Sequence, residues 1–116
     1  MKGIVWGATI ESAKKRLGYI EGNYFGIKVV RQYENEHKRE IVFENGDIWV
    51  AQTAARWNTR GQKCNISYID LDIDVDDFHK WILPCMTAMP YTAFQFYNAH
   101  GIYGPEPKNN IVDFFK

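Results

Sequence analysis

Residues 2–6, KGIVW, form a short apolar run that ends at Gly7, and a pattern of a different period follows at once. Ile10, Ala13, Leu17, Ile20 and Tyr24 recur at near-helical spacing, whereas Lys14, Lys15, Arg16 and Glu21 fall on the other side and are expected to face water. Thr9 precedes this helix and has the side chain of an N-cap, and Gly22-Asn23 supplies the stop. The opening thus reads as strand, turn, helix. FGIKVVRQY and REIVFE follow, rich in β-branched and aromatic residues and separated by the polar stretch Glu34 to Lys38, which suits a turn between antiparallel strands. Asn45-Gly46 comes next and predicts a two-residue hairpin turn pairing REIVFE with DIWVAQ.

Beyond Gln52 the periodicity fades through TAARWNTRGQKCN, a long loop of the kind that usually carries function. ISYID, residues 66–70, is a compact strand of the buried type. The helix VDDFHKWIL follows, with Val75, Phe78, Trp81 and Ile82 on one face, and Pro84 is expected to stop it or to begin a new turn. In the last third, PYTAFQFY alternates as a final strand. Residues 98–116 form a tail with Pro105, Pro107 and the apolar ending IVDFF, expected to pack on something, for instance a partner subunit. The element order predicts an α/β domain: a central mixed sheet with a β-hairpin and flanking helices, in which ligands gather at the carboxyl ends of strands.

Length agrees with one domain over residues 1–116, and 46% hydrophobic with 16% aromatic residues is enough apolar material for one core. Fourteen basic and fourteen acidic residues cancel. That balance argues against a general DNA or RNA coat, which needs a strong positive field, and leaves room for a local basic site. Cys64 and Cys85 lack CxxC spacing and read as buried free thiols. The N-terminal apolar run is too short for a signal peptide and no stretch approaches a membrane span, so a cytoplasmic protein that does not enter the membrane is expected.

Catalytic constellations are not visible. His37 lies in a charged turn, His79 on a helix face and His100 in the tail, so no nucleophile, base and orienting group are brought together by the pattern. Asp76-Asp77 are sequence neighbours and read as compensation of a helix dipole. Asp70 and Asp72 have the chemistry to hold magnesium, but they are read as capping the next helix together with Asp74. No metal and no cofactor are expected. What remains is a basic and aromatic set: Trp6, Thr9 and Ser12 beside the end of the first strand, Arg56, Trp57 and Arg60 in the long loop, and Tyr91, Phe94, Phe96, Tyr97 and Asn98 near the end. Arginine forks bind phosphates and aromatic rings stack on bases, so the candidate ligand-binding residues of this set are Trp6, Thr9, Arg56, Trp57, Arg60, Tyr91, Phe94 and Asn98, with Phe96 or its neighbours expected in the core.

From Ile41 to Tyr97 the order IVFENGDIWV, Arg60-Gly61, ISYID and DFHKWILP resembles the stretch around the Walker B strand in phage packaging ATPases and related P-loop proteins. The resemblance implies a degenerate P-loop core. In that family a glutamate follows the strand's aspartate and polarises the attacking water, whereas Leu71 stands here; and WGATIESAKK, where the phosphate loop is expected, has no GxxxxGK[ST]. Hydrolysis lacks both of its parts.

A small chain with such a core, no Walker residues and an aromatic C-terminal region is similar to the first family of Thoeris anti-defence proteins. That resemblance implies a phage protein, active in the host cytoplasm, that sequesters a cyclic ADP-ribose isomer, and also cyclic oligonucleotides, without cleaving it. It also implies a homo-oligomer. Arg56, Arg60 and Arg31 would then meet the pyrophosphate, Phe94 or Tyr91 would stack on adenine, and Asn98 would read its polar edge. Two other readings stay open: a phage module that binds a host protein, and an enzyme using Asp70 and Asp72 with magnesium.

Overall fold

The computed structural model describes residues 1–54, 63–87 and 93–98. Six strands form one mixed sheet: β1 (Lys2–Gly7), β2 (Val29–Glu34), β3 (Lys38–Phe43), β4 (Ile48–Thr53), β5 (Ile66–Asp70) and β6 (Ala93–Tyr97). Their spatial order is β2-β3-β4-β1-β5-β6. β3 pairs antiparallel with β2 and β4, while β1 pairs parallel with β4 and β5, and β5 with β6. The expected α/β class and central mixed sheet are therefore present.

Burial follows position in the sheet. β1 is central, and Ile4, Val5 and Trp6 are fully buried, because a parallel strand covered on both faces has no water-facing side. β2 is an edge strand and is exposed from Val30 onward. Helix α1 (Ile10–Gly22) begins at Thr9, whose side chain accepts from the Ser12 N–H at 3.2 Å, and ends at Asn23. It buries Ala13 and Leu17 against Val5, Ile41, Phe43, Trp49 and Ala51. Gly3 is required on this face, since a Cβ there would lie 2.4 Å from the Trp49 ring.

The opposite face is covered by a second helical stretch made of α2 (Val75–Asp77), a π-helical segment (Phe78–Ile82) and α3 (Leu83–Thr87). Phe78 and Ile82 pack there with Ile4, Trp6, Ile69, Cys64 and Cys85. Of the two expectations for Pro84 the second is met: the π-helical segment ends at Ile82 and Pro84 lies in the first turn of α3. Proline has no N–H to give to the carbonyl four residues back and its ring crowds that carbonyl; the wider π turns just before it, in which the Leu83 N–H reaches Phe78, make room for it.

The hairpin differs from expectation by one residue. The Phe43 N–H donates to the Asp47 carbonyl at 2.9 Å and the Gly46 N–H to the Phe43 carbonyl at 3.0 Å, so Glu44, Asn45 and Gly46 form the connection. Only Gly46 takes positive φ, at 93°, as a three-residue loop with a terminal left-handed residue requires.

Candidate functional site

The first turn and the end of β5 are tied together by Asp70. Its carboxylate is 1% exposed. Oδ2 accepts from the Ala8 N–H and the Ser12 hydroxyl, both at 2.9 Å, and Oδ1 accepts from the Asp72 N–H at 3.0 Å. Asp70 is thus a clamp that holds α1 against β5, whereas capping of the next helix falls to Asp74, which accepts from the Asp76 N–H at 2.8 Å. Beside the clamp, the carboxyl ends of β1 and β4 open on a cavity of about 280 Å³ lined by Gly7, Ala8, Thr53, Asp72, Asp74 and Asp77 among others. It lies where strand order reverses about β1, the place at which open α/β sheets take ligands. Three carboxylates make its potential negative, which disfavours a phosphate. Among the described residues no group of three or more His, Cys, Asp or Glu side chains is set to hold a metal ion.

The candidate residues that are described do not converge. Trp6 is fully buried and its indole N–H donates to Ser67 Oγ at 3.2 Å, so its ring belongs to the core and cannot stack on a ligand; this corrects the expectation from its place at the end of a strand. Thr9 is exposed but engaged as the cap of α1. Arg31 lies on edge strand β2 and lines a separate cavity of about 240 Å³ with Gln32, Tyr33, Glu40 and Val42. Phe94 is on the other edge, 42% exposed, with its ring edge-on to Phe96 at 5.8 Å, and Asn98 follows that strand. Five strand spacings of about 4.8 Å put Arg31 and Phe94 roughly 24 Å apart, beyond the span of one nucleotide pocket in one chain. Arg56, Trp57, Arg60 and Tyr91 lie outside the described residues.

One cation sits where none was expected. Arg16, placed by helical periodicity on the water side of α1, is half-buried, with its guanidinium 5.6 Å from the centre of the Tyr68 ring on β5 and 5.4 Å from that of Tyr97 on β6. Its Nε is buried without a hydrogen-bond acceptor. The Tyr97 hydroxyl donates to the Trp6 carbonyl at 3.0 Å, and burial, with the Asp70 carboxylate next in weight, pushes its pKa up. The sequence held one signal for this residue: positions 12, 13, 19 and 20 are Ser, Ala, Tyr and Ile, so Arg16 has no acidic neighbour at helical spacing to hold it in water.

No protein-family model matches the chain, no curated protein matches it, and no solved structure does.

Proposed function

We propose that the chain is a binding protein without turnover, a phage anti-defence sponge that sequesters a cyclic ADP-ribose isomer and so blocks bacterial immune signalling. The observation that carries the reading is the fate of Asp70. At the end of a Walker B strand this carboxylate would serve a metal; here it is buried and engaged by Ala8, Ser12 and Asp72, and Leu71 follows it. Only Ala8 and Thr9 separate β1 from α1, too short a turn to wrap a triphosphate. A frame of degenerate P-loop type, stripped in this way, keeps the capacity to bind and loses the means to hydrolyse. Arg31 and Phe94, on opposite edges of the sheet, serve one ligand only if copies of the chain meet, which fits a pocket shared within a homo-oligomer.

The test is retention. Purified chain is mixed with a cyclic ADP-ribose isomer, passed through a desalting column and heated. The ligand is expected to be released intact; a cleaved product, or nothing retained, would sink the reading.

A second reading, a module that binds a host protein, draws on one feature. Phe25, Val30 and Tyr33 are 83%, 61% and 55% exposed and fall on one short segment at the β2 edge. Recovery of a single host protein with no small molecule retained would favour it.

A further inference from the structure

The half-buried cations over β2 and β3, Lys14, Lys38 and Arg39, have acidic partners, and Arg16 has none among the described residues. Among the described residues its guanidinium makes no ion pair or hydrogen bond, and its Nε is shut off from water as well. Leaving a half-buried arginine in this condition costs stability, because the charge loses hydration and gains only the faces of two tyrosines in return. The surroundings are nevertheless ordered. Ser12, one turn earlier on the same side of α1, is fixed to Asp70, and Tyr97 is fixed to the Trp6 carbonyl. Along β6, Ala93 and Gln95 share the α1 side of the sheet with Tyr97 and are exposed. No described helix covers this part of β5 and β6, since α1 lies over β1 and β4.

We propose that Arg16, held between the rings of Tyr68 and Tyr97, is an anion receptor that takes a phosphate or pyrophosphate group on the open ledge formed by α1, β5 and β6. A guanidinium fork held by aromatic rings has its donors directed in advance, and such a fork suits the paired oxygens of a phosphate. Tyr68 and Tyr97 position the fork and do not themselves bind the anion. The ledge also resolves a conflict in the site: the cavity at the carboxyl ends of β1 and β4 is acidic and repels phosphate, whereas the ledge offers a half-buried guanidinium with no acidic partner among the described residues. Assigning the phosphate to a cyclic ADP-ribose isomer rests on the binding function proposed above; the anion site itself does not.

The experiment uses the full chain, inorganic pyrophosphate as the first probe and a cyclic ADP-ribose isomer as the second. Nitrogen-15 NMR follows the Arg16 Nε–H signal, and the melting temperature is measured without ligand. Pyrophosphate is expected to move that signal saturably. Arg16→Met keeps the stem and removes the charge, so it should weaken pyrophosphate binding by about tenfold or more and raise the ligand-free melting temperature. Arg16→Lys, with the charge but no fork, should fall between. Unchanged pyrophosphate affinity in Arg16→Met overturns the proposal. So does a lower melting temperature in that variant, which would give Arg16 a structural role opposite Asp70. An Arg16 Nε–H signal that moves on Asp113→Asn in ligand-free protein also overturns it, by making the chain's own carboxylate the occupant. The two claims separate cleanly: pyrophosphate at Arg16 with no cyclic nucleotide retained removes the sponge and keeps the anion site. Equal retention of intact cyclic nucleotide by the wild type and Arg16→Met overturns the assignment of its phosphate to Arg16 and keeps the sponge.

Discussion

Helix α1 has two flanks, and they solve the same electrostatic problem in opposite ways. Over β2 and β3, Arg39 reaches Glu21 at 2.9 Å, Gln32 at 3.3 Å and Glu34 at 3.8 Å, while Lys14 meets Glu34 at 3.0 Å. Every partly buried cation there is matched by a carboxylate. Over β5 and β6, Arg16 has two tyrosine rings and, among the described residues, no carboxylate. The first flank is what a chain builds to fold; the second leaves a charge unmatched, which folding alone does not favour. The contrast teaches that the part of the molecule fit for an anion is the part whose electrostatics are incomplete.

The largest way to break the comparison is to free the second flank from its anchor. Asp70→Ala removes a buried acceptor and strands the donors of Ala8 and Ser12, at a cost of about 3 kcal/mol in urea unfolding. Because the anchor holds Ser12 and the start of α1, the Arg16 ledge should loosen before the Arg39 flank does, seen as faster amide exchange in β5 than in β3. Equal loosening on both flanks would mean that Asp70 supports the fold as a whole.

A smaller loss is expected at Gly3. A methyl group there must displace the Trp49 ring, which also packs against Tyr68 at 5.7 Å, so Gly3→Ala should destabilise by roughly 2 kcal/mol. It acts on the packing beneath α1 and leaves Arg39 alone, but it reaches Arg16 through Tyr68. Pyrophosphate affinity should therefore fall by less than in Arg16→Met at temperatures well below the new melting point, and an unchanged affinity would show that the fork does not depend on the Tyr68 ring.

The arginines themselves give the sharpest contrast because the sign of the effect differs. Arg39→Met leaves Glu21 without its fork partner in a half-buried position and should destabilise by about 1 kcal/mol. Arg16→Met should stabilise by less than about that amount, since no partner is abandoned. Thermal unfolding of the two variants side by side decides it; two losses of similar size would erase the distinction between the flanks.

Much of this frame was legible in the sequence, and the reasons are local. Thr9 announces the start of α1 because an N-cap needs only its own side chain and the next turn. Ile10, Ala13 and Leu17 announce its buried side because helical period is written into the chain. The same logic leaves two outcomes open at Pro84, where a π turn absorbs the ring and a new helical turn begins, and it fails at Gly46, where the hairpin takes a third residue. It fails more instructively at the site. Its place at the end of a strand makes Trp6 a candidate ligand contact, but whether a strand's last ring faces ligand or core depends on Ser67, which is 61 residues away in sequence and bonded to it. Arg16 was placed in water for a related reason: periodicity places a residue on one side of a helix and is silent on whether β5 and β6 extend far enough to meet that side.

The last comparison concerns the two tyrosines that α1 helps to cover, and it appears only in alkaline solution. Tyr24, on the first flank, stacks on Phe43 with centroids 3.9 Å apart, and its hydroxyl accepts from the Trp49 indole at 2.6 Å; Tyr97 is on the second. Burial is the first cause of a raised pKa in both, and the Cys85 thiol is pushed up to about 11, again chiefly by burial. In each case the folded state holds its proton at a pH where the unfolded chain has released it. Between those values the unfolded state binds fewer protons, so stability falls as pH rises. The contribution is complete below pH 9, the ordinary value for the thiol, and is lost through about pH 11 for Cys85 and at higher pH for Tyr97. Urea unfolding should thus give a flat midpoint from pH 7 to pH 9 and a steady decline above it. Ultraviolet titration of tyrosine should show a group that ionises only as the fold is lost. Tyr97→Phe should remove that late group and Tyr24→Phe should not; the reverse result would mean that Tyr24 is the more deeply sealed of the two tyrosines.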